Sequence, residues 1–146
     1  MSDVDVTILC PSRGRFAGLS NSVSSLMKYA VGSGYRFEVL VYLDHDEPET
    51  YEPLPRTQYF VGSRVGYARL YEVIASHLLP HAQGRWLFLW NDDLIMQTPA
   101  WDTILGQTPD DHILCPEANN DSAVKGLNIF PIVPKKWVDL VGWAKD

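Results

Sequence analysis

Apolar residues occur along this chain in short blocks, each closed by a polar or turn-forming cluster, and strand-like runs alternate with helical spacing. Val4 to Cys10 is β-branched and apolar and is followed by Pro11, Ser12, Arg13 and Gly14, which predicts a first strand running into a tight loop. Leu19, Val23, Leu26 and Ala30 recur at helical spacing, predicting a helix from Leu19 to Tyr29 ended by Gly32 and Gly34. Phe37 to Leu43 reads as a second strand, and Gln58 to Val61 as a third beyond a link containing Pro48, Pro53 and Pro55. A second helix is expected over Gly66 to Leu79, with Leu70, Val73, Ile74 and His77 on one stripe and Pro80 beyond its end. Trp86 to Trp90 is a fourth strand, Asp102 to Leu105 a helical turn after Pro99, and His112 to Cys115 a short strand. Gly126 to Val133 resembles a strand returning to the core, and Pro134 to Val141 a closing helix with Pro in its first turn and Gly142 at its end.

This alternation predicts an α/β fold, a three-layer sandwich around a mostly parallel central sheet. Ligands of such sheets bind outside the carboxyl ends of the strands. Three apolar runs end in polar groups: P-S-R-G-R after the first strand, D-H-D-E after the second and N-D-D after the fourth. They are expected to form one site. A buried strand ending on Asn91, Asp92 and Asp93 delivers hard oxygen ligands to a sheet edge, although Asn and Asp are also ordinary turn residues.

Composition narrows the choices. With 146 residues and 46% hydrophobic content, one domain with a real core is expected. A formal charge of -6 argues against a cationic nucleic-acid binder. Cys10 and Cys115 have no metal-type spacing and are read as reduced core thiols of a cytoplasmic protein. His45, His77, His81 and His112 form no zinc pattern. No basic and apolar leader opens the sequence, and no apolar run reaches the roughly 18 residues that span a bilayer, so neither secretion nor a membrane span is expected.

Four segments carry a family resemblance: V-T-I-L-C-P-S-R-G-R, V-Y-L-D-H-D-E-P, R-V-G-Y-A-R-L and W-L-F-L-W-N-D-D-L-I-M-Q-T-P-A-W-D. In order and spacing they resemble the nucleotide-sugar-binding half of GT-A glycosyltransferases of the inverting, polysaccharide-synthase-like type. Coverage runs from about Val6 to Trp101, with weaker similarity over Gly126 to Gly142. The resemblance implies a GT-A, Rossmann-like fold in a single domain 1–146, with residues 1–101 binding the nucleotide sugar and 102–146 forming a truncated acceptor-side part. It implies a metal-assisted transferase that takes a nucleoside-diphosphate sugar, with a UDP-sugar favoured and the acceptor unknown. Asn91 stands where the family has the first Asp of its Asp-x-Asp motif, Asp92 takes the middle place, and Asp93 matches the metal-binding Asp for Mn²⁺ or Mg²⁺.

On the same resemblance, Asp44 accepts a hydrogen bond from the nucleobase, and a carboxylate suits the imide N–H of uracil or thymine. Its alternative is a solvated loop acid. Pro11, Ser12 and Arg13 line the first loop, where backbone N–H groups and a guanidinium hold ribose and phosphate, whereas Arg15 reads as a surface charge at a helix start. Arg64 and Arg69 are a phosphate or base-side clamp, or else Arg69 pairs with Glu72 on a helix surface. Trp101 is a core residue or a platform for a sugar ring. The catalytic base is unassigned: Glu117, Asp121 and Asp146 are the acids on the acceptor side, and the family's usual acidic residue follows a helix beyond which this chain stops. Donor binding with slow transfer is therefore expected. A nucleotidyltransferase is the competing enzyme, disfavoured because P-S-R-G-R has one Gly and no Lys. A noncatalytic nucleotide-sugar-binding module is the remaining alternative.

Overall fold

The apolar run after Asp5 forms the middle strand of a sheet buried on both faces. In the computed structural model, which describes residues 3–32, 36–64, 66, 74–116 and 131–142, β1 (Val6–Ser12) lies between β2 (Phe37–Asp44) and β4 (Trp86–Leu89). β3 (Thr57–Gly62) and β5 (Ile132–Pro134) take the edges, giving the order β3-β2-β1-β4-β5. The first four strands are parallel and β5 pairs antiparallel with β4, so the expected mostly parallel α/β architecture is found.

Successive side chains of a strand point to opposite faces, and here each face has its own cover. Val6, Ile8, Cys10, Phe37, Val39, Val41, Trp86 and Phe88 pack with residues of α1 (Phe16–Tyr29) and α2 (Trp101–Gln107). Leu9, Leu40, Tyr42, Leu87 and Leu89 pack with Ile74, Leu78, Ala82 and Val138, the last from α3 (Lys135–Val141). Each fully buried aliphatic or aromatic side chain contributes roughly 1.5–3 kcal/mol relative to exposure. α1 buries Leu19, Val23 and Leu26 as the periodicity predicts, and also Ser22 and Ser25. Those hydroxyls are satisfied: Trp90 Nε1 donates to Ser22 Oγ at 2.7 Å, and Met96 N–H donates to Ser25 Oγ at 2.8 Å.

Several boundaries differ from expectation. β1 continues through Pro11 to Ser12 instead of stopping at Cys10. Leu9 accepts from Trp90 N–H, so odd-numbered residues of β1 address β4, and the last β1–β4 pair is Leu9 with Leu89. Pro11 therefore sits where no β4 partner follows, and its missing N–H breaks no ladder bond. The second helix appears, within the described residues, only as a wide turn over Ile74–Leu78 and a tight one over Leu79–His81 that contains Pro80. Leu70 and Val73 lie outside the described residues. His112 to Cys115 is no strand; Leu114 makes one isolated bridge to Ile132. Of the expected returning strand, Ile132 and Val133 belong to β5, whereas 126–130 lie outside the described residues.

Trp101 is 3% exposed and packs edge-on to Phe37 with ring centroids 5.0 Å apart, while its Nε1 donates to Leu26 O at 3.0 Å. It is a core residue, and a sugar platform is ruled out by its burial. Cys115 is exposed, which corrects its reading as a core thiol; Cys10 is buried, and neither forms a disulfide. Asp102 is buried and accepts from Val31 N–H at 3.0 Å and Gly32 N–H at 2.8 Å, tying the exit of α1 to the start of α2.

Gly84 is the tightest approach to the central strand. A Cβ there would lie 2.5 Å from the Thr7 nitrogen and 2.7 Å from the Val6 carbonyl carbon, both backbone atoms that cannot swing aside. Its N–H also donates to the buried Thr7 Oγ1 at 2.8 Å. Gly84→Ala is expected to destabilise the fold by about 1–3 kcal/mol through overpacking, read as a lower urea midpoint; an unchanged midpoint would refute this account of the contact.

Candidate functional site

The polar ends of β1, β2 and β4 meet at one edge of the sheet. Beyond β1, Gly14 adopts φ +62°, a left-handed turn that suits glycine and redirects the chain into α1. Beyond β4, Leu94 N–H donates to Asn91 O at 3.2 Å and closes the N-D-D turn. Gly18, in the first turn of α1, faces that turn closely: a Cβ there would be 3.3 Å from Asp92 O. The entrance of α1 is thus packed against the N-D-D backbone.

One half of the site is an ion-pair row. Arg13 Nη1 donates to Asp44 Oδ2 at 3.1 Å and to Asp46 Oδ1 at 2.7 Å, and Arg64 Nη1 lies 3.6 Å from Asp46 Oδ2. The Asp44 side chain is 10% exposed, so the carboxylate placed by β2 is largely buried against Arg13. The hydrogen bond from Arg13 holds the Asp46 carboxyl below its ordinary value, and the same bond raises the Arg13 guanidinium.

The other half centres on Asp92. Its side chain is 8% exposed, and Ser12 Oγ donates its single proton to Asp92 Oδ2 at 2.8 Å. Tyr51 Oη lies 2.7 Å from Ser12 Oγ and must therefore be the donor in that contact. Arg15 N–H in turn donates to Tyr51 Oη at 3.2 Å, completing a chain from the helix entrance to the buried carboxylate. The Arg15 guanidinium lies 3.5 Å from Asp92 Oδ1 and 4.0 Å from Asp93 Oδ2. Burial lifts the Asp92 carboxyl above the usual carboxylate range, opposed by Ser12 and Arg15 and aided by Asp93. The Cys10 thiol beneath is pushed well up by its burial and by both aspartates, which makes it an inert core thiol.

The loop amides are already engaged. Gly14 N–H donates to Glu47 Oε1 at 2.9 Å and Oε2 at 3.1 Å, and Phe16 N–H donates to Glu49 Oε2 at 2.8 Å. The amide donors of Gly14 and Phe16, just beyond the Pro11 to Arg13 segment, therefore face the chain's own carboxylates.

The structure thus brings Ser12, Arg13, Asp44, Asp92 and Asp93 to one edge, with Arg64 joined through Asp46. Arg69, Glu72, Glu117, Asp121 and Asp146 lie outside the described residues. Sequence reasoning missed Arg15 and Tyr51. The position of Arg15 in P-S-R-G-R was the available signal, whereas Tyr51 lies in the Pro-rich link with no periodicity to mark it. Among the described residues, no three His, Cys, Asp or Glu side chains gather as a metal-binding group. Asp92 is committed to Ser12 and Arg15, and Asp93, with its side chain 65% exposed, is the available carboxylate. This donor set fits a hard divalent ion that arrives with phosphate oxygens and water, as Mg²⁺-type sites do, and not a resident ion held by protein alone.

No protein-family model matches the sequence, and no curated protein matches it. The fold is similar to that of solved structures. A mannosyltransferase from Pyrobaculum calidifontis, in complex with GDP-Man and Mn²⁺, aligns at TM-score 0.61 and 13% identity over 96% of this chain and 47% of that one. The glycosyltransferase GlyE of Streptococcus pneumoniae aligns at TM-score 0.52 and 5% identity over 94% of this chain and 36% of that one. The chain spans less than half the length of either, and at these identities the likeness establishes the fold.

The raised Asp92 carboxyl has a consequence for stability. The folded chain holds this proton more tightly than the unfolded chain, so the group's stabilising contribution is complete below the unfolded pKa near ~3.9 and is lost as pH rises through the higher folded value. Asp92→Asn keeps an acceptor for Ser12 and cannot ionise. The melting-temperature advantage of the wild type over this mutant is expected to shrink as pH rises above roughly 4; parallel pH profiles of the two proteins would contradict the assignment.

Proposed function

We propose that this chain is the nucleotide-sugar-binding part of a glycosyltransferase and moves a sugar from a nucleoside-diphosphate donor to a hydroxyl acceptor. The observation that carries the reading is the convergence of Arg13–Asp44 and Ser12–Asp92 at the carboxyl ends of three parallel strands, the edge where such sheets bind ligands. The fold likeness to two glycosyltransferases, one of them bound to GDP-Man and Mn²⁺, supports it. The domain is read as GT-A, with residues 1–101 holding the donor and 102–146 facing the acceptor.

In this reading Asp44 and Asp46 meet the nucleobase and ribose, and the UDP preference rests on the family match at Asp44. Asp93, joined by phosphate oxygens, would hold Mn²⁺ or Mg²⁺, which when bound neutralises charge developing on the departing diphosphate. Transfer is read as inverting: the acceptor oxygen bonds to the anomeric carbon, the bond from that carbon to the phosphate oxygen breaks, and the diphosphate leaves with the electron pair. A base takes the acceptor's proton; Glu117, Asp121 and Asp146 are its candidates. No helix among the described residues is long and apolar enough to cross a membrane, and a cytoplasmic location belongs to the same proposal.

Calorimetric titration with UDP and GDP, with and without Mn²⁺, tests the donor site, and release of nucleoside diphosphate from the matching sugars tests transfer. Binding of UDP is expected to be tighter with Mn²⁺, and Asp93→Asn is expected to remove most of that enhancement while leaving metal-free binding in place. Equal enhancement in the mutant would remove Asp93 from the metal's ligands, and preference for GDP would overturn the uridine assignment.

A further inference from the structure

The two edges of the sheet are finished in opposite ways. At β5, Leu114 N–H donates to Ile132 O at 2.9 Å and Ile132 N–H donates to Leu114 O at 3.1 Å, and Pro134 ends the strand, so that edge is covered. At β3, Arg56 O accepts from Val39 N–H at 2.8 Å and Gly62 O accepts from His45 N–H at 2.7 Å, so even-numbered residues address β2. The main chain of Thr57, Tyr59 and Val61 therefore points away from the sheet. Thr57 N–H turns back to Leu54 O at 3.3 Å. Among the described residues, nothing pairs with the main-chain groups of Tyr59 and Val61.

Edge strands are ordinarily blunted by lysine, proline, other charges or a bulge. Thr57–Gly62 contains no charged residue and no proline, and it pairs residue for residue with β2, without a bulge. Val61 is 66% exposed and shares the face of Tyr59, which packs toward the core. Beside the start of β3, Val23 and Met27 of α1 line an open apolar groove with Leu54 and Pro55.

We propose that β3 pairs antiparallel with β3 of a second copy of this chain, joining two five-stranded sheets into one continuous sheet. The strand is complementary to itself about a two-fold axis at Tyr59. In that register Tyr59 faces its own counterpart and exchanges both N–H···O bonds with it, and Val61 N–H donates to the carbonyl of the opposing Thr57. Gln58 falls opposite Phe60 and Arg56 opposite Gly62, so no like charges face each other across the ladder. The exposed Val61 comes to lie beside the opposing Thr57, on the face that carries the apolar groove. Such pairing uses up β3, and the other edge is covered, so the assembly closes as a dimer. The carboxyl ends of the two β2 strands then point in opposite directions, and both polar edges stay open. The pairing depends on β3 alone and holds whatever the polar edge binds. A short ladder with an apolar fringe is a small interface, for which a dissociation constant on the order of 10–100 µM is expected.

Sedimentation velocity of the whole chain from about 5 µM to about 0.5 mM tests the pairing on the wild type, Val61→Pro and Val61→Thr. Because Val61 N–H is not bonded to β2, proline there removes an outward donor and spares the β2 ladder. Threonine keeps the β-branched shape and the backbone donor. The wild type and Val61→Thr are expected to pass from monomer to dimer across this range, and Val61→Pro to dimerise at least about tenfold more weakly while still melting cooperatively. A wild type that stays monomeric at about 0.5 mM overturns the proposal and leaves the edge to a strand of another protein. A dimer that Val61→Pro leaves unchanged also overturns it, because the contact then lies elsewhere. Equal weakening by Val61→Thr and Val61→Pro places the contact on the side chain and overturns the ladder. Should Val61→Pro lose cooperative melting, Val61→Lys takes its place, since an edge lysine opposes pairing without altering the backbone.

Discussion

The parallel ladders on either side of β1 set the height at which each strand releases its polar end. Ser12 is registered with Leu43, so the next residues along, Arg13 and Asp44, fall opposite one another and pair at 3.1 Å. Leu9 is registered with Leu89, so three residues further up both strands Ser12 meets Asp92, at 2.8 Å. Because side chains alternate with period two, a one-residue slip of β1 would turn Ile8 and Cys10 away from α1 and separate both polar pairs together. Core packing and site geometry are therefore one constraint, enforced by apolar residues on the two faces of the same strand.

Burying Asp92 is unfavourable for its charge, and the surroundings only partly offset it. Ser12 contributes a hydroxyl, Arg15 a distant guanidinium, and Asp93 opposes both. A carboxylate kept where burial disfavours ionisation, at the edge where a sheet of this kind takes ligands, is the arrangement expected of a site in which local stability has yielded to binding chemistry. The Trp indoles beneath show the opposite policy: Trp86, Trp90 and Trp101 each find a hydrogen-bond acceptor inside the fold, so the core under the site carries no unsatisfied ring N–H at these positions.

The acidic segment after β2 gives the edge its polarity. Glu47 and Glu49 satisfy the amides at the entrance of α1, and Asp46 draws Arg13 and Arg64 together. The helix dipole and the loop amides thereby serve internal carboxylates. This separates the chain from sites built on a glycine-rich backbone cradle and accords with a loop that has one glycine where such cradles have several.

Local pattern determined much of this protein. Apolar blocks and their polar closures located β1 to β4, α1 and α3 within a few residues, because burial on both sheet faces makes a central strand a continuous apolar run and burial of one helix stripe imposes period 3.6. The same closures marked Arg13, Asp44, Asp92 and Asp93, since strand ends are where polar residues resume. What the tertiary structure alone decided concerns partners distant along the chain. Pro11 stays inside β1 because β4 ends below it, Trp101 is core because Phe37 lies against it, and Tyr51 reaches Ser12 across a link without periodicity. That Arg15 faces Asp92 and Asp93 was decided only by the register of β4 against β1 and the approach of Gly18 to Asp92. No local pattern encodes those distances, because they arise from how the packed layers seat on one another.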